Sequence, residues 1–170
     1  IKAALTGHLV LSTLHTNDAP GAVTRLIDMG IEPFMLGSSL ILAQAQRLYR
    51  RLCSACKKPA DVASDILRQN HIDPDFFDGC VLYKATGCPR CSSGFKGRGA
   101  IMEVLLINDP IREAIVRGAN TSELQQLGIE AGMVSLKQAV VLQVAYDRLD
   151  RVSSSHLAPD RRRCDPTGVA

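Results

Sequence analysis

Two Cys-x-x-Cys pairs constrain this chain more than any other feature. "RRLCSACKK" carries Cys53 and Cys56, and "GCPRCSSGFKGRG" carries Cys88 and Cys91. A two-residue gap lets one tight turn present both sulfurs to a single ion, at about 2.3 Å for zinc. Two such turns supply four thiolates, which complete a tetrahedral Zn2+ and leave no open position for chemistry. The spacing therefore favours a structural zinc site, with a redox motif and four unrelated cysteines as the alternatives. One pair alone would suit a redox motif, but the thioredoxin-like context is missing. The pairs are separated by 31 residues, more than a simple zinc ribbon needs, so 57–87 is expected to loop out. Cys80, in "FFDGCVLY", reads as a buried apolar cysteine rather than a fifth ligand, and Cys164 falls in the C-terminal tail.

Composition narrows the class. The chain has 170 residues, of which 46% are apolar, enough for one ordinary domain or two small ones with a real core. Aromatics make up 4% and Trp is absent, which argues against base-stacking surfaces. A net charge of +3 is too small to argue for nucleic acid. The longest apolar candidate, "FMLGSSLILAQAQRLY", is interrupted by Gly37, Ser38, Ser39 and two Gln, too early for a membrane span. The opening "IKAALTGHLVLSTLHTN" has no initiator Met and no signal-peptide order, and reads as the end of a helix. The expectation is a fragment of a longer protein, with a cytosolic metal site rather than a secreted disulfide scaffold.

Periodicity and punctuation place the elements. "HLVLSTL", residues 8–14, reads as a buried strand because its apolar run is nearly continuous. Asn17 or Asp18 then caps a helix with Pro20 in its first turn and Ala22, Val23, Leu26 and Ile27 on one face, ending at Gly30. A second helix is expected from Pro33 to about Arg51. "GAIMEVLLI" reads as a strand, and "NDPIREAIVRG" as a helix capped by Asn108 or Asp109. "SELQ" and "SLKQ" match the capping box at two later helix starts, the last helix running to about Val152. Residues 153–170 read as a disordered tail.

"TGHLVLSTLHTNDA" holds His8 and His15. In an extended strand their separation is about 23 Å, so they cannot share one small ligand. His15, with Thr13 and Thr16, would sit at the strand's C-terminal end, where open α/β sheets bind ligands. An imidazole there can donate to phosphate. His8, at the strand's start, is more readily a structural hydrogen-bonder.

These segments together resemble one family. "AALTGHLVLSTLHTNDA" resembles the His box of the type II secretion and type IV pilus assembly ATPases, hexameric RecA-like motors. "RLIDMGIEPFMLGSSLILAQAQRLYRRLC" is similar to the segment after the box, and "GCPRCSSGFKGRGAIMEVL" to the family's second zinc knuckle and its sequel. The resemblance covers residues 1 to about 137. Its tetracysteine element favours the extension and secretion branch over pilus retraction.

The resemblance implies an α/β fold: the C-terminal part of a RecA-like P-loop ATPase core with its His box (1–51), a tetracysteine zinc module (52–104) and a small α-helical subdomain (105–152), before the tail (153–170). It implies His15 near the nucleotide γ-phosphate, with His8 as the box's other histidine and Thr13 beside the site. Gln46 and Arg47, in "AQRL", would brace the nucleotide-proximal core. Cys53, Cys56, Cys88 and Cys91 would bind Zn2+, and Arg98 would be structural. The implied whole is a homo-hexamer using ATP and Mg2+, cytoplasmic and peripheral to the bacterial inner membrane. Its implied partners are a platform protein and a cytoplasmic adaptor, with no nucleic acid.

Two departures qualify this. No Gly-Lys followed by Ser or Thr occurs, so the loop that cradles phosphate is absent, and the acidic Mg2+ motif would lie upstream of Ile1. The chain alone is therefore expected not to hydrolyse ATP. After "GMVSL" the family's Gly-x-Thr segment is missing from "KQAVVLQVAYDRLDRVSSS". Two rivals remain: a nucleic-acid-binding zinc ribbon with basic patches at "QRLYRR" and "FKGR", and a zinc-stapled scaffold without motor activity.

Overall fold

In a computed structural model, residues 1–77 and 81–146 are described. Cys80, Cys164, the tail at 153–170 and the expected helix end near Val152 lie outside them. The elements run α1 (Lys2–Leu5), α2 (Ala19–Asp28), α3 (Pro33–Ser39), β1 (Leu42–Leu52), β2 (Lys58–Pro59), α4 (Ser64–Gln69), a 3-10 turn (Pro74–Phe77), β3 (Tyr83–Lys84), β4 (Phe95–Leu106), α5 (Asp109–Val116), α6 (Thr121–Glu130) and α7 (Leu136–Tyr146). They divide into two compact units. The first comprises Ile1–Arg47 and Met102–Leu136; the second comprises Leu48–Ile101 and the described residues from Lys137 onward.

β1 and β4 pair in a two-stranded sheet. Ile107 N–H donates to the Ile41 carbonyl (3.0 Å) and Cys53 N–H to the Gly94 carbonyl (2.8 Å), so rising numbers on one strand meet falling numbers on the other. The pair is therefore antiparallel. This corrects the helix expected over 33–51: the helix stops at Ser39, and Leu40 is already extended, with φ −77° and ψ 125°. Ser38 and Ser39 return side-chain hydrogen bonds to the Phe34 and Met35 carbonyls four residues back. Beyond it the burial pattern has period two. Ala43 and Ala45 are buried while Gln44 and Gln46 are exposed, the alternation of a strand with one covered face.

In the first unit the covered face of the ribbon presents Ala43, Ala45, Leu105 and Ile107 to a core built with Ala19, Val23, Leu36, Ile111, Ala114, Ile115 and Leu124. Burying a Val, Leu or Ile side chain in such a core contributes about 1.5–3 kcal/mol. Local chemistry sets the helix starts. Asp18 accepts from the Gly21 N–H (2.7 Å), Asn108 from Ile111 (3.1 Å) and Asn120 from Glu123 (2.9 Å). Each is an N-cap satisfying an otherwise unpaired helical N–H. Asn120 thus takes the role expected of Ser122, which lies inside α6. α3 and α5 approach closely at Gly37, where a Cβ would lie 3.0 Å from Val116 Cγ2, and Arg112 Nε donates to the Gly37 carbonyl at 2.9 Å.

The strand expected over 8–14 is absent. Residues 8–16 carry no regular structure, and Leu9 and Leu11 are 81% and 89% exposed. The apolar pattern is that of a strand, but among the described residues no strand runs beside it. A lone strand has no ladder to fill its hydrogen bonds and no face to bury.

Neighbouring residues on β4 test the register. Leu105 is fully buried and Leu106 is 60% exposed. Leu105→Ala is expected to cost about 2–5 kcal/mol and Leu106→Ala less than about 0.5 kcal/mol, measured by denaturant unfolding of the 170-residue chain. A one-residue register shift would reverse the order.

Candidate metal centre and histidine segment

Backbone geometry in the second unit prepares the four thiols. After β1, Cys56 N–H and Lys57 N–H both return to the Cys53 carbonyl (3.2 and 3.0 Å), closing the first Cys-x-x-Cys turn. Cys91 N–H donates to the Cys88 carbonyl (3.1 Å) and closes the second. A hairpin comes next, in which Ser92 and Phe95 exchange backbone hydrogen bonds (3.0 and 2.9 Å). Its two central residues, Ser93 and Gly94, have φ of 51° and 90°, the left-handed pair that a type I′ turn requires. The Gly94 carbonyl receives the Cys53 N–H, so this hairpin fixes the first cysteine of the other pair. A Cβ on Gly94 would lie 2.5 Å from Ala85 Cβ and 3.0 Å from Ala85 Cα. Only glycine fits that conformation and that gap.

The result is one cluster. The sulfurs of Cys53, Cys56, Cys88 and Cys91 all lie within 4.8 Å of one another. Cys56 and Cys91 Sγ are 3.7 Å apart, and Cys88 and Cys91 Sγ 3.5 Å. Four thiolates at about 2.3 Å from a tetrahedral ion stand about 3.8 Å from each other, so the donor set fits such an ion. Cys53 is 2% exposed and the other three are half-buried. The segment between the pairs leaves the cluster as β2, α4 and the 3-10 turn and returns as β3, with Lys58 opposite Lys84 and Pro59 opposite Tyr83.

Protonation reflects the same geometry. The Arg90 backbone N–H pulls the Cys88 thiol down, but hydrogen bonding to Cys91, burial, and contacts with Cys56 and Cys53 outweigh it and leave Cys88 at about 11. A bound cation would displace the Cys88 proton. The tetracysteine arrangement can therefore hold a soft divalent ion and offers it no vacant position. It can cross-link two turns; it cannot admit a substrate to the metal.

The histidine segment lies in the first unit. His8 is exposed, with Nδ1 3.0 Å from Thr6 Oγ1. Thr13 and His15 are exposed in irregular chain, not at a strand end. Gln46 and Arg47 project from β1, not from a helix. Arg47 Nη2 donates to the Asn17 carbonyl (2.9 Å) and to Asn17 Oδ1 (3.0 Å). It thereby grips the turn two residues beyond His15. A polar cavity of about 270 Å³ adjoins that turn, lined by Thr16, Asn17, Asp18, Thr24, Arg25 and Asp28 among others. The sequence shows Asn17 only as a possible cap; its role as the Arg47 acceptor depends on the fold.

Residues 1–150 match the family model described as Type II/IV secretion system protein. The type IV pilus assembly ATPase PilB of Myxococcus xanthus is 52% identical, over 82% of this chain and 25% of its own length. The type II secretion system ATPase E of Vibrio cholerae is 48% identical, over 74% of this chain and 25% of its own length. The chain thus spans about a quarter of the length of these relatives.

Two substitutions test the cluster. Cys88→Ser is expected to abolish stoichiometric metal binding, and Gly94→Ala to weaken it while destabilising the unit by about 2 kcal/mol or more. Elemental analysis and chelator competition measure the first effect, thermal unfolding with and without chelator the second. A Cys88→Ser chain that keeps one equivalent of metal would rule out the four-thiolate site.

Proposed function

Since the chain belongs to the type II/IV secretion system protein family, we propose that it is part of an ATPase that powers type IV pilus assembly or type II protein secretion. The family match along residues 1–150 carries this reading. In it, residues 1–51 complete a RecA-like core, 52–104 form a zinc module and 105–152 a helical subdomain. The working assembly is a homo-hexamer, cytoplasmic and peripheral to the inner membrane, acting on a platform protein through a cytoplasmic adaptor.

ATP and Mg2+ belong to the longer protein in this reading. The phosphate-cradling sequence Gly-x-x-x-x-Gly-Lys-Ser/Thr does not occur here, and without its backbone amides and lysine the β- and γ-phosphates have no seat. His15 then serves as a donor toward the γ-phosphate, with His8 and Thr13 in the same exposed segment. Its exposure in this chain leaves the imidazole accessible to a ligand. Gln46 and Arg47 brace the nucleotide-proximal core in this reading, and the two hydrogen bonds of Arg47 to Asn17 support its part. Zn2+ bound by Cys53, Cys56, Cys88 and Cys91 would supply a cross-link and no reaction. The closed donor set, with Cys53 buried and the other three half-buried, supports that structural role.

The test uses the full-length protein that contains this sequence. It is expected to hydrolyse ATP, and His15→Ala to lower kcat at least about tenfold, measured by steady-state phosphate release. The 170-residue chain by itself is expected to show no turnover. A full-length protein without ATPase activity, or an active isolated chain, would overturn the reading.

A further inference from the structure

Glu103 is the one charged side chain buried among the described residues, 1% exposed. It stands on the covered face of β4, between Ile101 and Leu105, where the strand pattern calls for an apolar residue. Its two oxygens are both used. Oε1 accepts from the Ala19 N–H at 2.8 Å and Oε2 from the Leu136 N–H at 2.9 Å. Ala19 is the first residue of α2 and Leu136 the first of α7. Such first-turn N–H groups have no partner inside their own helices and carry the positive end of the helix dipole. One carboxylate therefore caps two helices from within the core.

Ala19 also ends the turn that follows His15. Between them, Arg47 holds Asn17 by its carbonyl and side chain, and Asp18 holds the Gly21 N–H. Glu103 holds the third consecutive residue of the turn. Both strands of the ribbon thus reach this turn, Arg47 from β1 and Glu103 from β4. We propose that Glu103 is a positioning residue for His15: by fixing the start of α2 it sets where the histidine segment leaves the core. The inference rests on the reading of His15 as a γ-phosphate donor.

Glu103→Gln separates this role from packing. Glutamine keeps the side chain's size but has one acceptor oxygen and one donor nitrogen, so one helix N–H loses its acceptor. In the full-length protein, kcat is expected to fall about tenfold with KM for ATP changed less than about twofold. Amide exchange at Ala19 or Leu136 should quicken in the 170-residue chain. If Glu103 acts through His15, Glu103→Gln combined with His15→Ala should be no slower than His15→Ala alone. Additive losses, a wild-type kcat, or unchanged exchange at both amides would overturn the positioning role. A wild-type kcat in His15→Ala would instead overturn the reading beneath it, and this inference with it. Should the glutamine variant not fold, Glu103→Asp keeps both acceptors on a shorter stem and takes the same tests, with the same outcomes deciding.

Discussion

The antiparallel pairing of β1 with β4 is the constraint on which the other features depend. Backbone hydrogen bonds fix it at both ends, Ile107 to Ile41 at one and Cys53 to Gly94 at the other. In the first unit the ribbon supplies Ala43, Ala45, Leu105 and Ile107 to the core. In the second it carries Cys53, at the end of β1, to the hairpin after Cys91. Register matters at both places, because a slip of one residue turns every side chain to the opposite face. A slip in the first unit would turn Leu105 outward and Leu106 inward. A slip in the second would carry the Cys53 N–H past the Gly94 carbonyl and its sulfur away from the other three. Core packing and sulfur placement therefore draw on the same pair of strands.

How much of this is legible in the sequence depends on the range of the interaction. Helix caps are local, and the sequence narrows two of them to Asn17 or Asp18 and Asn108 or Asp109, because a cap and its N–H target lie three residues apart; the fold selects Asp18 and Asn108. The four cysteines are legible because Cys-x-x-Cys is a local turn, and the ion's geometry leaves few ways to combine two of them. The ribbon is harder. "LILAQAQRLYRRL" is rich in residues that favour helices, and a helix begun at Pro33 has no proline or glycine to stop it beyond Gly37. The strand wins because an antiparallel partner lies far away in sequence, and strand preference measures that partner and its burial more than the residue itself. The alternation of Ala43 and Ala45 with Gln44 and Gln46 is the available signal. The converse holds at 8–14, where an apolar run has the pattern of a strand but no neighbour beside it among the described residues.

The candidate site divides along the same line. Its cysteine half is readable residue by residue, since all four candidate ligands announce themselves by spacing. Its other half is named by resemblance: His8, Thr13 and His15 are exposed side chains in irregular chain, a setting that by itself assigns them no task. The fold adds the groups that hold the turn after His15. Arg47 is named by resemblance as a brace of the core, with a helix expected around it; its hold on Asn17 is seen only in the fold. Glu103 is not found that way, although "IMEVLLI" places it in step with Ile101, Leu105 and Ile107 on the inward face. An acidic residue in step with a buried apolar row is a signal that period-two reading can find.

A buried carboxylate is a costly occupant for that row. Removing its charge from water without partners costs several kcal/mol, and a hydrophobic residue of similar size would fill the space without that penalty. Glu103 is tolerated because two helix starts, each with an N–H that must find an acceptor, point at its two oxygens. The same satisfaction could have come from two separate caps, as it does at Asn108 and Asn120. Using one side chain for both couples the start of α2, which Asp18 also caps, and the start of α7 to a single position of β4. An apolar residue there could fill the space but would leave the Ala19 and Leu136 N–H groups without this acceptor. The charge therefore contributes specificity: it ties the residues after His15 to the strand that leads out of the cysteine hairpin, by bonds that form only when the strand's register is correct.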